Sequence, residues 1–258
     1  MSNIKNQLEQ FANSFADQSR IILKNKFLNT FKVEEKNDGS FVTNIDKEIE
    51  IKFRKILKRS FPNHGVVGEE FGFENEKNEY VWVIDPLDGT HNFIAGKPLF
   101  GTLICCMKNG IPIFGLIDIP ILEDRWWGGT NMGVKFNGKR CKILKNKKQY
   151  SNLIVSSTSL LMFKPKHEKK VKTIYSKIGF PIFGSDCYSY GLMLLGKIDL
   201  IIEGNMRPWD YLAQVALINK FGGFITDWKG NQLGLDSDGK IVASIEKNHH
   251  KKTINYLK

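Results

Sequence analysis

The stretch that decides the fold is Trp82-Val83-Ile84-Asp85-Pro86-Leu87-Asp88-Gly89-Thr90. It enters as an apolar run, Tyr80 to Ile84, of residue types that favour strands. It breaks at Asp85-Pro86, because proline removes a backbone donor and biases the residue before it away from helix. Asp85 and Asp88 then stand at the strand end, followed by Gly89-Thr90. A buried strand that delivers acids to its rim is one way to hold hard cations against a phosphate. Asp-Pro and Asp-Gly are also ordinary turn dipeptides, so the stretch alone leaves a plain turn open.

Upstream, Val66-Val67 reads as a short strand running into Gly68-Glu69-Glu70, with a charged loop from Glu74 to Asn78. Further back, Ile45, Ile49, Phe53, Ile56 and Leu57 share one face of a helix. Thr43 and Asp46 fit a capping box at its start, and capping alone accounts for Asp46. Ile4, Leu8, Phe11, Phe15, Ile22 and Leu23 recur at helical spacing, which predicts a long amphipathic helix over residues 3 to 27. Asn37-Asp38-Gly39-Ser40 reads as a turn.

Downstream, His91 to Ile94 reads as a short helical turn, with Gly89 and Thr90 at its N-terminus, where free amides face outward. Leu99 to Met107, Ile111 to Ile119 and Arg125 to Gly128 are strand-like, and Asn109-Gly110 is a hairpin signal. Asn131 to Lys145 adds an edge element, so this region predicts an antiparallel meander. The pattern changes in the polar stretch Lys145 to Tyr150. Beyond it strands alternate with helices: strand 153–156, helix 166–178, strand 181–184, helix 187–195, strand 198–203, helix 209–221. Strands at 224–227 and 241–244 and a closing helix at 245–257 complete the chain. We therefore expect an α+β half over residues 1–148 and an α/β half over 149–258, joined in one functional unit.

Composition is that of a soluble globular protein: 258 residues, 41% hydrophobic and 25% charged. No run suits a membrane span and the first ten residues are polar, which predicts a cytoplasmic protein. Cys105, Cys106, Cys141 and Cys187 form no C-x-x-C pair, which argues against a zinc site or disulfide framework. Cys187, beside Asp186, is the one thiol near a candidate site residue. The net charge of +11 gathers in Lys142–Lys148, Lys164–Lys172 and Lys247–Lys252. With few interleaved aromatics and no nucleic-acid motif, these clusters read as solvated surface rather than a nucleic-acid face.

Acids stand at several element boundaries: Asp46, Glu69, Glu70, Asp85, Asp88 and Asp210, with Glu203 upstream of the last. The helix dipole alone explains Asp210, in the first turn opened by Arg207-Pro208-Trp209. Together, however, these would be an odd set of independent caps. Carboxylates brought together without cations repel and take up protons. Two or three Mg²⁺ ions would neutralise them and create a phosphate site.

Gly68-Glu69-Glu70, the stretch Trp82 to Thr90 and Pro208-Trp209-Asp210 together resemble the inositol monophosphatase superfamily, in matching order over nearly the whole chain. Asp46, after Val42-Thr43, matches its upstream acid. Gly96 to Thr102, Ile117 to Leu122, Arg125-Trp126 and Gly184 to Tyr188 resemble the inositol-monophosphatase-like histidinol-phosphatases. The resemblance implies a layered α-β-α-β-α sandwich and a homodimer that hydrolyses a small phosphorylated substrate, histidinol phosphate, by in-line attack of a metal-activated water. Glu69, Asp85 and the Leu87 carbonyl would bind one Mg²⁺. Asp85, Asp88 and Asp210 would bind a second, with a weaker third near Glu69. Thr90, hydrogen-bonded to Asp46, would orient the attacking water, and the Gly89 and Thr90 amides would hold the phosphate. Asp186 and Glu203, with Asp210 beside them, would meet the cationic alcohol. A helix N-cap is an equal reading of Asp186.

Glu70 and the histidines are left outside the site, including His91, where many inositol monophosphatases carry threonine. An inositol-1-phosphatase and a nucleotide 3′-phosphatase are the rivals on the same fold. A non-catalytic RNA-binding or regulatory protein is the rival of another class. It would be expected to lack a metal acid, and none is missing here.

Overall fold

The apolar faces of the first two helices determine the outer layer. The structure, a computed structural model, describes residues 2–35, 41–142 and 148–258. Helix α1 spans Ser2–Lys26 and, after the β1 (Val33–Glu35) and β2 (Phe41–Thr43) hairpin, α2 spans Asn44–Ser60. Thr43 caps α2 through its hydroxyl and Asp46 closes the capping box, as their spacing predicted. Phe11, Phe15 and Phe53 pack with Trp82 against one face of the first sheet.

That sheet has eight strands. They are β3 (Gly65–Gly68), β4 (Gly72–Glu74), β5 (Tyr80–Asp88), β6 (Gly101–Lys108), β7 (Ile111–Ile119), β8 (Asp124–Gly129), β9 (Gly133–Phe136) and β10 (Lys139–Arg140). Helix α3 (Thr90–Ile94) lies between β5 and β6. The spatial order is β10-β9-β8-β7-β6-β5-β3-β4, antiparallel except for β3 on β5. Buried Asp118 on β7 takes hydrogen bonds from Arg20 of α1 and Arg125 of β8, pinning helix to sheet.

The rest of the chain forms β11 (Ile154–Ser157), α4 (Pro165–Tyr175), β12 (Phe180–Phe183) and α5 (Asp186–Leu194). It continues with β13 (Leu200–Glu203), α6 (Pro208–Phe221), β14 (Phe224–Thr226), β15 (Ile241–Ser244) and α7 (Lys247–Leu257). The second sheet has the order β12-β11-β13-β15-β14, parallel across its first three strands and antiparallel beyond. No helix intervenes between β14 and β15, so they pair antiparallel where strict α/β alternation would give parallel neighbours.

Helix α6 is apolar nearly all round, from Tyr211 to Phe221. A helix of that kind must be covered on both sides. It lies with α5 between the two sheets, sharing one core with Val83, Leu103 and Ile117 of the first and Ile201 and Ala243 of the second. Helices α4 and α7 cover the far face of the second sheet. The layers therefore read α-β-α-β-α.

Strand β5 differs from expectation at its end. It does not stop at Asp85 but runs to Asp88 through a bulge. Asp85 pairs with Leu103 and Asp88 with Gly101, so Pro86 and Leu87 face Thr102 alone. Proline suits a bulge because it has no ladder hydrogen bond to donate. Strand β4 was not expected; it is a short edge that ends at Glu74, where the expected charged loop begins. The turn expected at Asn37 to Ser40 and the first three residues of the polar stretch 145–150 lie outside the described residues.

Candidate metal centre and phosphate site

The bulge carries the first two acids. Asp85 is buried, and its Oδ1 accepts the Leu87 amide at 2.9 Å. The freed Pro86 carbonyl accepts the Thr102 hydroxyl at 2.9 Å, and Ser19 of α1 lies 2.7 Å behind that hydroxyl. Asp88 accepts the Cys187 amide at 2.9 Å. The third acid arrives with α6: Asp210 accepts the Arg207 amide at 2.8 Å, so it caps its helix. One carboxylate oxygen from each of Asp85, Asp88 and Asp210 lies within 4.8 Å of the others.

Glu69 joins them from the turn after β3, sharing a hydrogen bond with Asp85. Its turn is held by Glu50 of α2, a fully buried acid that accepts the Glu70 amide at 2.8 Å and the Phe71 amide at 3.2 Å. Arg54 neutralises Glu50 at 2.9 Å. Gly68 is required here, since an added Cβ would lie 2.0 Å from Glu50 Oε1.

Burial, then the neighbouring charges of Glu69, Asp88 and Asp210, pushes the Asp85 carboxyl well up. Asp210 is raised by burial, then by Asp88 and Glu69. Asp46 is raised to about 6, by burial first and by the charge of Glu69, against hydrogen bonds from Thr43. Its Oδ2 takes both Thr43 donors, whereas its buried Oδ1 has no partner. Converging, mutually repelling oxygen donors with one orphaned buried oxygen nearby fit a hard divalent cation. Such a cation would supply charge neutralisation for phosphoryl oxygens and acidify a water.

Thr90 departs from expectation. Its hydroxyl donates to the Leu87 carbonyl at 2.9 Å rather than to Asp46. A hydroxyl has one proton, and at the first position of α3 that proton reaches the carbonyl three residues back. The predicted Thr90–Asp46 bond is therefore not formed. Gly89 adopts φ +79°, and an added Cβ would stand 3.0 Å from the Leu99 carbonyl. Glycine is needed there for both reasons. Helix α3 is five residues long, so Gly89 and Thr90 offer local amides rather than a developed macrodipole.

Asp186 does not cap α5. It is the helix's first residue, with φ +40°, and its carboxylate accepts the side-chain amide of Asn92, 94 residues away in sequence. Asn92 also reaches the Leu99 carbonyl at 3.0 Å and the Gly184 carbonyl at 3.2 Å. Burial, then the charge of Asp88, raises Asp186 to about 7, with Lys97 opposing. Glu203 ends β13 fully buried, both oxygens 3.1 Å from the Thr158 amide. It is pushed well up by burial and by Asp186, against the Thr158 hydrogen bonds. The Cys187 thiol, next to Asp88, is buried and pushed far up, so it is no nucleophile. His91 is exposed, edge-on to Phe41 at 5.2 Å.

Sequence reasoning passed over Glu50, Asn92, Thr102 and Thr158. Glu50 had a usable signal, an acid one turn past the capping Asp46 on the apolar face of α2, beside Ile49 and Phe53. The other three are ordinary polar residues whose partners are distant in sequence.

The inositol monophosphatase family model matches residues 5–258. The bifunctional phosphatase IMPL2, chloroplastic, of Arabidopsis thaliana is 38% identical over 92% of this chain and 70% of its own length. A fructose-1,6-bisphosphatase/inositol-1-monophosphatase of Aquifex aeolicus is 32% identical, covering 88% of this chain and 87% of that one. A histidinol-phosphatase of Chlorobaculum parvum is 28% identical, covering 83% of each. A solved inositol monophosphatase of Zymomonas mobilis superposes with a TM-score of 0.87 at 30% identity, over 96% of both chains. The clustered acids, the layered fold and these likenesses agree: the chain belongs to the inositol monophosphatase family and is a metal-dependent phosphatase.

Proposed function

We propose that this phosphatase hydrolyses histidinol phosphate, using two or three Mg²⁺ ions held by Glu69, Asp85, the Leu87 carbonyl, Asp88 and Asp210. The carrying observation is the pair Asp186 and Glu203. Both are acids beyond the three clustered carboxylates, and the charge of Asp88 bears on each. A cationic amino alcohol complements them, whereas neutral inositol does not. The histidinol-phosphatase of Chlorobaculum parvum is consistent with this substrate, while the Aquifex aeolicus relative supplies the rivals to be tested. Asp46 and Thr90 are assigned to water orientation, and Gly89 and Thr90 to the phosphate.

The expected assembly is a cytoplasmic homodimer. Exposed Phe180 and Phe183 on edge strand β12 supply apolar surface for a second copy, which sedimentation would detect. Among the described residues no helix is long and apolar enough to cross a membrane.

The deciding experiment is phosphate release from histidinol phosphate, inositol 1-phosphate and fructose 1,6-bisphosphate, with Mg²⁺ and with chelator. Histidinol phosphate should give the highest kcat/KM, and only with Mg²⁺. Turnover of another ester with none of histidinol phosphate would overturn the substrate and leave the phosphatase intact.

A further inference from the structure

The lysine run beginning at Lys164, read from the sequence as solvated surface, lines a cavity built from other residues than the acid cluster. It encloses 270 Å³ at the carboxyl ends of β11 and β13, where crevices of parallel sheets collect ligands. One wall is aromatic. Phe163 and Trp228 lie with ring centroids 5.9 Å apart, and His167 meets Trp228 edge-on at 5.3 Å. The other wall is cationic, formed by Lys164, Lys166 and Lys240. Lys240 is paired with Asp238, but Lys164 and Lys166 make no ion pair among the described residues. Burial, then the charges of Lys240, Lys166, Lys170 and Lys164, holds His167 below its ordinary pKa.

Two further features keep the cavity open to an anion. Helix α4, eleven residues long, starts at this wall with Lys164 as its N-cap, and no side chain caps it. A lysine has no acceptor to offer there, in contrast to Thr43 on α2. Gly204 also lines the cavity, and an added Cβ would stand 2.9 Å from the Phe163 ring.

The exposed rims of two largely buried aromatic rings, beside lysines without ion partners among the described residues, suit a ligand with both a flat ring and a phosphate. The enclosed volume suits one such unit, slightly below the common range of about 300–1,000 Å³ for small-molecule sites. We propose that this cavity is a second ligand site that binds a nucleoside monophosphate, its base against Phe163 and Trp228 and its phosphate against Lys164 and Lys166. The proposal is independent of which ester the acid cluster hydrolyses.

Photo-crosslinking of the full chain in Mg²⁺ with 8-azido-AMP, followed by peptide mapping, tests it. The label should fall on residues 160–170 or 226–240, and excess AMP should displace it. Adenosine and inorganic phosphate, each holding half of the recognition, should compete at least about tenfold less well. The double variants Lys164→Glu/Lys166→Glu and Lys164→Gln/Lys166→Gln should lose the label. Both should keep the wild-type melting midpoint and phosphatase turnover, since neither lysine belongs to the acid cluster. Label confined to the catalytic acids, undiminished label in folded variants, or adenosine competing as well as AMP would overturn the assignment. So would a single-stranded oligonucleotide that displaces the label with affinity rising with length, which would indicate an extended nucleic-acid face.

Discussion

Valine in place of Thr102 preserves shape and removes one hydroxyl. That hydroxyl donates to the Pro86 carbonyl at 2.9 Å and is backed by Ser19 at 2.7 Å, with both residues fully buried. The Pro86 carbonyl lies at the bulge, outside the regular β5–β6 pairing, so no ladder partner replaces the lost donor. Ser19 sits within α1 and can turn its hydroxyl to a carbonyl one turn back. One unsatisfied buried carbonyl therefore remains, costing about 1–3 kcal/mol. For a chain of this size that lowers the melting midpoint by about 2–10 °C, measured in chelator.

The bulge also sets the spacing of Asp85, Leu87 and Asp88, so relaxation around Pro86 should weaken Mg²⁺ binding. Loss of a group that orients metal ligands weakens affinity by about 10- to 100-fold. Calorimetric titration of Mg²⁺ without substrate reads this directly. Thr102→Ser restores the donor and should recover most of the affinity. A valine variant with a lowered midpoint but unchanged Mg²⁺ affinity would refute the idea that this hydroxyl aims the ligands.

Asp46→Asn keeps an acceptor for the Thr43 amide at 2.9 Å, so the midpoint should move little while kcat falls by about 10²- to 10⁴-fold. Full turnover would remove Asp46 from proton handling. Gly89→Ala must place a Cβ 3.0 Å from the Leu99 carbonyl at φ +79°, costing about 1–3 kcal/mol, and an unchanged thermal midpoint would contradict the reading. Glu203→Gln keeps an oxygen for Thr158 and loses the charge, so KM for histidinol phosphate should rise about tenfold more than for a neutral ester. Equal shifts would argue against an amine contact. For pH, burial raises Asp46 to about 6 and Asp186 to about 7 in the folded chain. Their stabilising effect is fully present below the unfolded carboxylate pKa of about 4, and is lost as pH rises through about 6–7. The midpoint gained on adding Mg²⁺, relative to chelator, should therefore widen from about pH 5 to pH 8. A gain that narrows over that range would oppose the assignment.

Much of the candidate site was legible in the sequence because its signals are local. Asp85, Asp88 and Gly89 announce themselves through proline and glycine at a strand end, and Thr43 with Asp46 through capping spacing. Glu69 and Asp210 needed family resemblance, because an acid after a strand or in a helix's first turn already has an ordinary explanation. The fragments around Asp118 and Arg125 resembled substrate-class markers, yet in the fold Asp118 accepts from both Arg125 and Arg20 and so ties α1 to the first sheet.

The sequence by itself determined most strands and helices and the two acids at the end of β5, Asp85 and Asp88, whereas the layer order, Glu69 and Asp210 came through the family resemblance. The former were legible because periodicity, capping and turn chemistry act over a few residues. Only the tertiary structure decided that α6 lies between the sheets and carries Asp210 to within 4.8 Å of Asp85 and Asp88. It also decided that Thr90 serves Leu87, that Asp186 turns to Asn92 rather than capping its helix, and that Thr102 holds the bulge. The last two join residues 94 and 16 positions apart, and the Ser19–Thr102 contact spans 83. A hydroxyl or amide chooses among acceptors by distance and direction, and packing sets those only once the layers have closed.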